Sequence, residues 1–247
     1  MITVSVVSHG QGALVRNLLD DIRDYCPATP LQVILTLNIE EILPFELAEF
    51  PFDIRIIKNR QRQGFAANHN AAFVQAHGEY FAVLNPDIRF KQNPFPVLIA
   101  ALNEAAVAGP MVVGPEGQVE DSARRFPTPL RILCKFFFGS QGPDYVISSD
   151  TVQPDWIAGM FMLWRSDIFR LLGGFDEGFF LYYEDVDACA RLRQAGFNVV
   201  LDPSATIVHY AQRTSHRNFR YLRWHLASML RFFGKQIVGK YSVKLKY

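Results

Sequence analysis

The sequence is poor in the features that mark several large classes of protein. Its three cysteines lie far apart and have no metal-ligand spacing, which predicts reduced, mostly buried thiols in a cytoplasmic protein. No apolar run approaches the roughly 18 residues that a membrane-spanning helix needs, and the first strand lacks the basic flank and cleavage site of a signal peptide. No Gly-x-Gly-x-x-Gly motif opens the first helix, which argues against a nucleotide-dependent oxidoreductase.

Acidic residues are absent after Asp202, whereas nine of the 25 lysines and arginines lie from Arg213 onwards. The chain before this tail is acidic, because it has 16 basic residues against 24 acidic ones. A basic tail usually meets an anionic partner such as nucleic acid, a membrane surface or phosphate. Because the tail has no nucleic-acid-binding signature and the acidic body would repel a phosphate backbone, no nucleic-acid partner is expected.

Strands and helices alternate through the first half of the sequence. Strands are predicted at 2–7, 31–37, 54–57 and 80–84, and helices after the first strand, at about 65–76 and after Pro94. This alternation predicts a parallel α/β sheet with helices on both faces. The second half is less regular, with a turn-rich segment from Gly109 to Gly117, a Gly-rich loop that turns into a helix within 173–196, and two short strands around Pro203.

The strand at 80–84 runs directly into Asn85-Pro86-Asp87. Proline has no N–H to donate to a sheet ladder, so the strand must stop or fray there. Taken alone, Asn-Pro-Asp is common turn chemistry. Ligands of such sheets, however, bind at the carboxyl ends of the strands, where a carboxylate suits Mg²⁺ or Mn²⁺ carrying a diphosphate. This motif alone is compatible with both interpretations.

A second group of acids, Glu184, Asp185 and Asp187, follows the aromatic stretch GFDEGFFLYY. Acids in the first turn of a helix commonly do no more than complement the helix dipole. Alternatively, acids crowded beside aromatic rings can raise the pKa of one carboxylate enough for base catalysis. His209 ends a later strand, and a lone histidine in that position is more often structural than a metal ligand.

Together these motifs resemble the signature of family-two, inverting glycosyltransferases. The resemblance runs through residues 2–230 and rests on Asn85-Pro86-Asp87, His209, GGFDEGFFLYYEDVDACARLRQAGF and NRQRQGFAANHNAA. It is nearest to the rhamnosyltransferases of O-antigen and cell-wall polysaccharide assembly, which SARRFP, DWIAGMFML and RYLRWHLASMLRFF also resemble. The resemblance implies a GT-A-type, Rossmann-like α/β domain over 1–212, with a nucleotide-sugar half (about 1–110) and an acceptor half (about 111–212), and a basic amphipathic helical tail at 213–247.

The same resemblance implies roles for individual residues. Asp185 would be the catalytic base, with Glu184 supporting it or contacting the acceptor. Asp87 and His209 would bind a divalent cation, Mg²⁺ or Mn²⁺. The residues around the nucleotide-sugar would be Ser8, His9, Asn38, Asn59, Gly64, Asn68, Asn85 and Asp87. Gly64 would let the backbone approach the ligand closely. The sequence departs from the family at Asn85 and Pro86, where many members carry acids, and near Asn38, where the usual ribose-binding acid is missing.

The candidates for contacts with the acceptor, or with the diphosphate of a lipid-linked acceptor or of the donor, are Arg124, Arg125, Trp156 and Gly159. Arg124 and Arg125 lie in a loop restricted by prolines, and a guanidinium binds a diphosphate well, although an isolated pair is usually solvated. Trp156, close to Gly159, is equally compatible with the core and with a platform beneath a sugar ring.

The tail predicts an amphipathic helix that meets an anionic membrane, through Arg217, Arg220, Arg223, Trp224, Arg231 and Lys235. The alternative is a helix packed on the domain with a solvated basic face.

The implied reaction moves L-rhamnose from dTDP-β-L-rhamnose to a GlcNAc-diphospho-polyprenol in O-antigen, lipopolysaccharide or other surface polysaccharide synthesis. Such an enzyme would be cytoplasmic and peripheral on the inner face of the bacterial membrane, and a homodimer is compatible with the sequence. One alternative is another hexosyl or N-acetylhexosaminyl transferase that uses a UDP- or dTDP-sugar. A catalytically inactive sugar-binding relative is a further alternative, against which Asp87, Asp185 and His209 count.

Overall fold

An eight-stranded mixed sheet organises the chain in a computed structural model that describes residues 1–139, 142–211 and 219–237. The strands are β1 (Ile2–Ser8), β2 (Leu31–Leu37), β3 (Asp53–Lys58), β4 (Tyr80–Leu84), β5 (Ile88–Phe90), β6 (Val107–Val113), β7 (Ala123–Arg124), β8 (Trp156–Ile157), β9 (Phe161–Arg165) and β10 (Val199–His209). The helices are α1 (Gly12–Tyr25), α2 (Phe65–Val74), α3 (Phe95–Ala101), α4 (Pro129–Phe138), α5 (Ser166–Leu172), α6 (Glu184–Gln194) and α7 (Phe219–Ile237), with a 3₁₀ turn at Leu47–Glu49. The sheet order is β3-β2-β1-β4-β9-β6-β10-β5, and β7 pairs with β8 separately.

The first four strands confirm the predicted parallel arrangement. β1 pairs in parallel with β2 and β4, and β2 pairs in parallel with β3. Alternate side chains enter two different cores: Val4 and Leu35 pack on the face covered by α1, whereas Ile34 and Phe81 pack on the face covered by α2 and α6. The strands are therefore buried on both faces, and their carboxyl ends meet at one edge of the sheet.

The second half of the sheet differs from the sequence prediction in three details. β9 runs antiparallel to β4 and β6, and β5 runs antiparallel to β10. The segment predicted to be turn-rich from Gly109 holds most of β6, which continues to Val113. The two short strands expected around Pro203 are one strand, β10, whose register shifts between Asp202 and Thr206. A proline is tolerated at such an irregularity because its missing N–H leaves no gap in the ladder.

The polar side of helix α7 lies against the domain. Arg231 and Lys235 each come within 2.9 Å of the Asp176 carboxylate, and Lys235 also pairs with Asp187 of α6. These two cations were expected on a basic side that meets a membrane, and the structure corrects that orientation. Asp187 also pairs with Arg191 of its own helix. The ion pairs that Arg231 and Lys235 make with Asp176 and Asp187 therefore add to that pair and hold α7 on the domain.

Aromatic contacts hold the same face of α7. Trp224 lies with its ring centroid 4.7 Å from that of Phe180, so it too faces the domain and not a membrane. Phe232 is fully buried. Of the other residues predicted to meet lipid, Arg220 and Arg223 are exposed, and Arg217 lies outside the described residues. Among the described helices, none is both long and apolar enough to cross a bilayer.

Candidate active site

The carboxylates of Glu184 and Asp185 stand at the N-terminal end of helix α6. The two preceding residues, Tyr182 and Tyr183, both have left-handed backbones, with φ values of 69° and 70°. Such a conformation costs roughly 1–3 kcal/mol for each non-glycine residue and persists only where the surroundings hold it. Tyr183 packs against Phe232 of α7, with ring centroids 5.5 Å apart. Helix α7 therefore supports the strained turn that presents the two carboxylates.

Backbone N–H groups orient the Asp185 carboxylate. Its Oδ2 accepts a hydrogen bond from the Gly159 N–H at 2.9 Å, and its Oδ1 accepts one from the Val186 N–H at 2.8 Å. Burial raises the pKa of Asp185 above its ordinary value, although these N–H donors and the charge of Arg124 partly oppose the shift. An oriented carboxylate with a raised pKa has the properties of a general base.

Glu184 is more deeply buried than Asp185. Only 5% of it is exposed, and its Oε2 has no hydrogen-bond partner among the described residues. Burial, followed by the charge of Asp185, raises the pKa of Glu184 well above its ordinary value. Glu184 therefore retains its proton more readily, which favours Asp185 as the ionised member of the pair.

Asp185 lines a cleft of about 900 Å³ that also holds three arginines, Arg124, Arg125 and Arg131. Trp156 lies in the wall of this cleft: its indole N–H donates to the Arg125 carbonyl oxygen at 3.0 Å, and the Arg124 guanidinium lies 5.4 Å from its ring centroid. Arg131 comes from helix α4 and was missed in the sequence, because only the fold brings that helix to Asp185. The cleft thus joins a candidate base to groups that bind phosphate well.

Two of these arginines already have carboxylate partners. The Arg124 Nε lies 3.1 Å from Asp121 Oδ2, and Arg131 pairs with Asp144. These side chains are partly exposed, and exposed pairs of this kind contribute only about 0–1 kcal/mol. A diphosphate, which carries more charge than one carboxylate, can therefore compete for both guanidinium groups.

The other candidate carboxylate, Asp87, lies beside His209. After β4 the chain crosses through Pro86 to strand β5, which pairs with the end of β10 so that Ile88 stands opposite His209. The Asp87 Oδ2 lies 3.5 Å from the His209 Nε2, and its buried Oδ1 has no hydrogen-bond partner within the described part of the chain. The structure thus brings together two residues that the sequence resemblance assigned to one cation.

Glu120 completes this group, although no sequence motif marks it. Its Oε2 lies 2.7 Å from the His209 Nδ1. A turn at 114–118 folds the chain back so that the Glu120 N–H donates to the Val112 carbonyl oxygen at 2.8 Å. Burial lowers the pKa of His209, but hydrogen bonds to Asp87 and Glu120 outweigh burial, and the pKa is raised. Only the folded turn brings Glu120 to His209.

Backbone hydrogen bonds connect the two carboxylate sites. The Asn85 N–H donates to the Met160 carbonyl oxygen at 2.9 Å, and the N–H of the preceding Gly159 donates to Asp185. The turn between β8 and β9 therefore touches both the end of β4 and the beginning of α6. Asp87 and Asp185, which lie far apart in the sequence, are consequently connected through this turn.

The asparagines predicted to surround the nucleotide form a hydrogen-bonded cluster. The Asn59 Nδ2 donates to Asn38 Oδ1 at 2.8 Å and to Asn68 Oδ1 at 2.7 Å. Asn38 also accepts from the Gln63 N–H at 2.8 Å and donates to the Gln63 carbonyl oxygen at 2.9 Å. The three side chains therefore shape the loop at 59–64, and their direct contact with a nucleotide stays a prediction.

A second cleft, of about 650 Å³, lies beside this cluster at the carboxyl ends of β2 and β3. Asn38 and Asn59 line it, together with Arg62. Burial, followed by the charge of Arg62, lowers the pKa of the nearby His9 to about 4, so this imidazole is neutral at pH 7. Ser8 is fully buried, and its hydroxyl accepts a hydrogen bond from the Gln11 N–H at 3.0 Å. Ser8 thus supports the beginning of α1 beneath this cleft.

Gly64 packs against protein. A Cβ at this position would lie 2.5 Å from the Phe180 carbonyl oxygen, which also accepts the Phe65 N–H at 2.9 Å. The close approach that the sequence predicts at Gly64 is therefore an approach to the loop before α6. This contact ties the first half of the chain to the segment that carries Asp185.

Comparison with known proteins identifies the family. Residues 3–167 match the family model described as Glycosyl transferase family 2. The chain belongs to glycosyl transferase family 2. Rhamnosyltransferase WbbL of Escherichia coli K12 is 29% identical over 251 residues, which cover 96% of this chain and 94% of the relative. The N-acetylglucosaminyl-diphospho-decaprenol L-rhamnosyltransferase of Mycobacterium tuberculosis is 29% identical over 182 residues, 68% of this chain and 59% of that protein.

Solved structures confirm the GT-A-like fold of this glycosyltransferase. GalNAc-T7 with UDP, GalNAc and Mn²⁺ has a TM-score of 0.69 at 14% identity, over 87% of this chain and 44% of that chain. The mannosyltransferase PcManGT from Pyrobaculum calidifontis, in complex with GDP-Man and Mn²⁺, has a TM-score of 0.62 at 17% identity, over 93% of this chain and 64% of that chain. At these identities the likeness concerns the fold alone.

Asp87 and His209 of this glycosyltransferase fit a divalent cation. The Asp87 Oδ1 is a buried acceptor without a partner among the described residues. Because Glu120 binds the His209 Nδ1, a cation shared with Asp87 would be held by the Nε2, which faces the Asp87 Oδ2 at 3.5 Å. No group of three or more candidate ligands is found in the described ranges. The remaining ligands would therefore come from a diphosphate and from water, as is usual for Mg²⁺.

Replacing Glu120 with glutamine should weaken Mn²⁺ binding about 10- to 100-fold, because carboxylates that orient a metal-binding histidine have effects of this size. Titration of Mn²⁺ followed by electron paramagnetic resonance measures the affinity without any need for turnover. Glu116→Gln, an exposed acid in the same turn, is the matched control and should bind Mn²⁺ as the wild type does. Equal affinities in both variants would remove Glu120 from this positioning role.

Proposed function

We propose that this glycosyltransferase transfers L-rhamnose from dTDP-β-L-rhamnose to a GlcNAc-diphospho-polyprenol and forms an α-linkage. The observation that carries the proposal is the cleft that combines Asp185 with Arg124, Arg125 and Arg131. A base beside several guanidinium groups suits an acceptor that carries both a sugar hydroxyl and a diphosphate. The names of the two rhamnosyltransferase relatives support the sugar, and the mycobacterial name also supports the acceptor.

Asp185 is the general base in this proposal. Its carboxylate accepts the proton of the acceptor hydroxyl while that oxygen attacks the anomeric carbon of the donor. The bond from that carbon to the dTDP oxygen breaks on the opposite face, so the configuration inverts and dTDP leaves with the bonding electron pair. The N–H groups of Gly159 and Val186 keep the carboxylate aimed at the hydroxyl. The cleft arginines hold the acceptor diphosphate, which places the GlcNAc ring beside Asp185.

Asp87 and His209 would hold the divalent cation, Mg²⁺ or Mn²⁺, and Glu120 would orient His209. When bound there, such a cation stabilises the negative charge that develops on the leaving diphosphate. The Mn²⁺ present with GalNAc-T7 and PcManGT supports this assignment. The donor nucleotide would lie along the carboxyl ends of β1, β2 and β4, where ligands of such sheets usually bind.

A second candidate is transfer of a different hexose or N-acetylhexosamine from a UDP- or dTDP-sugar. It is favoured by fold neighbours that hold other donors or nucleotides, namely GDP-Man in PcManGT and UDP-GlcNAc in TarS of S. aureus. The catalytic groups are the same in both candidates, so the donor sugar alone separates them. With either donor, a polyprenol-linked acceptor would make the protein peripheral on the inner face of the bacterial cytoplasmic membrane.

A transfer assay read by mass spectrometry tests the proposal. Purified protein and Mg²⁺ are mixed with a short-chain GlcNAc-diphospho-lipid and, in separate reactions, with dTDP-rhamnose and a panel of UDP- and dTDP-hexoses. We expect the mass of one deoxyhexose to be added only with dTDP-rhamnose. Addition of another sugar would favour the second candidate, and no addition with any donor would contradict the proposed acceptor.

A further inference from the structure

The outer face of helix α7 is apolar. Its side chains Phe219, Leu222, Leu226, Leu230 and Ile237 recur at intervals of three, four or seven residues, so they share one side of the helix. These residues are 44% to 86% exposed, although they are large and apolar. Arg231 and Lys235 are bound to the domain together with the buried Phe232, so the helix has apolar side chains on its outer face as well as on its inner one.

Helix α4 exposes a similar row. Leu130, Leu133 and Phe137 are 70%, 54% and 67% exposed and lie three and four residues apart on one side. Contiguous apolar surface of this kind is uncommon on proteins that do not bind a partner or a membrane. The structure therefore has two exposed apolar rows, one on each of two helices that are far apart in the sequence.

Both of the helices that carry these rows line the arginine-lined cleft. Leu130 and Arg131 of α4 line it, and His225 and Met229 of α7 line it as well. A ligand whose diphosphate is bound by the cleft arginines would therefore lie next to both helices. This is the arrangement expected around a diphosphate that is attached to a hydrocarbon chain.

The charges next to these rows favour an anionic bilayer over a second copy of the chain. Neither helix contains an acidic residue, and the exposed Arg220 and Arg223 lie on α7 beside the apolar row. A symmetric dimer through α7 would bring these like charges together, whereas an anionic leaflet would neutralise them. Amphipathic helices with a basic flank and an apolar face bind at membrane interfaces.

We infer that the apolar rows of α4 and α7 form a membrane-docking surface that places the cleft on an anionic lipid leaflet. This inference rests on the proposed lipid-linked acceptor and identifies the surface that reaches it. The inference agrees with the sequence prediction that the tail meets a membrane, but it assigns the contact to different side chains. Leu222, Leu226 and Leu230 enter the leaflet, whereas Arg231, Lys235 and Trp224 hold the helix on the domain.

Vesicle flotation tests the inference without donor or acceptor. Vesicles of 70% phosphatidylcholine and 30% phosphatidylglycerol should carry the wild-type protein. The triple variant Leu222→Ser/Leu226→Ser/Leu230→Ser should partition at least about tenfold less, since three apolar side chains no longer leave water. Leu133→Ser/Phe137→Ser tests α4 in the same way. The matched control is Val74→Ser/Leu171→Ser, which changes exposed apolar residues of α2 and α5 and should float as the wild type does.

Two further measurements make each outcome decisive. Far-UV circular dichroism and transfer to a water-soluble short-chain acceptor should be unchanged in the triple variant, which excludes misfolding as the cause of lost flotation. If the wild-type protein transfers sugar but does not float with the vesicles, only the docking surface is overturned. Flotation without transfer to any acceptor would overturn the proposed reaction alone. A wild-type dimer in light scattering that the triple variant makes monomeric would overturn the inference in favour of a second copy.

Discussion

Asp185→Asn should lower the rate of glycosyl transfer by about 10²–10⁴-fold, which is the usual contribution of a general base. The amide has the shape of the carboxylate and can still accept the hydrogen bond from the Gly159 N–H. The fold and donor binding should therefore persist, and kcat should fall while the affinity for the nucleotide-sugar changes little. Single-turnover transfer and donor titration by calorimetry measure the two quantities separately.

The matched control for this substitution is Asp167→Asn, which changes an exposed aspartate at the beginning of α5. It should leave transfer unchanged. Glu184→Gln distinguishes the neighbouring carboxyl group: because burial raises the pKa of Glu184 and it retains its proton more readily, an amide should replace it with a much smaller loss of rate than in Asp185→Asn. The opposite order of effects would transfer the role of base to Glu184.

The acid limb of the pH–rate profile should follow the ionisation of Asp185. A base must be ionised to act, so the rate falls as pH falls through the pKa of Asp185. Burial raises that pKa, so the rate should fall at a pH above about 3.9, which is the ordinary pKa of an exposed aspartate. An acid limb at or below that ordinary value would contradict Asp185 as the base.

Most of the parallel half of the fold was predictable from local pattern. Strands such as Leu31–Leu37 are continuous apolar runs, and their bounds agree with the prediction because both faces of the sheet are covered. The antiparallel half was not predictable from local pattern, since β9 is inserted between β4 and β6 by long-range pairing. At Pro203, local chemistry suggested a break between two strands, but pairing with β6 carries one strand past it.

The candidate site shows a similar division. Asp87, Asp185 and His209 carry family motifs, so the sequence could indicate them. Glu120 and Arg131 reach the site only through a turn and a helix whose positions depend on the fold. Gly159 was noted as a neighbour of the acceptor, whereas its N–H binds the Asp185 carboxylate. The sequence therefore indicated the candidate catalytic and metal-binding residues but not the groups that orient them.

The tail shows why residue type alone did not decide orientation. A helical wheel separates the basic side chains of α7 from its leucines, and both sides are plausible contacts for a membrane. The deciding partners are Asp176 and Asp187, which lie in other segments and bind Arg231 and Lys235. Once these acids take the cations, the leucine side must face outward.

Asp87→Asn should abolish the response of the enzyme to Mg²⁺ or Mn²⁺ and lower transfer at least about a hundredfold. Lewis-acid stabilisation of a leaving group contributes several kcal/mol, and each 1.36 kcal/mol is a factor of ten in rate. The fold should tolerate the change, because the Asp87 carbonyl oxygen still accepts the Tyr210 N–H at 2.9 Å. Treatment of the wild type with EDTA should produce a loss of similar size.

Titration of Mn²⁺ against both transfer rate and electron paramagnetic resonance separates binding from catalysis for Asp87→Asn. His209→Gln should weaken the same binding, whereas Asp24→Asn, an exposed aspartate paired with Arg23 on α1, should change neither readout. If the carboxylate acts only in the turn that ends β4, Asp87→Asn would lose stability but keep the Mn²⁺ affinity of the wild type. A wild type that keeps full turnover in EDTA would remove the cation from the mechanism, and Asp87 would then bind the donor in another way. Loss of both Mn²⁺ binding and transfer in a folded Asp87→Asn variant would place the cation at the end of β4. There Pro86 stops the strand and leaves the Asp87 carboxylate beside His209.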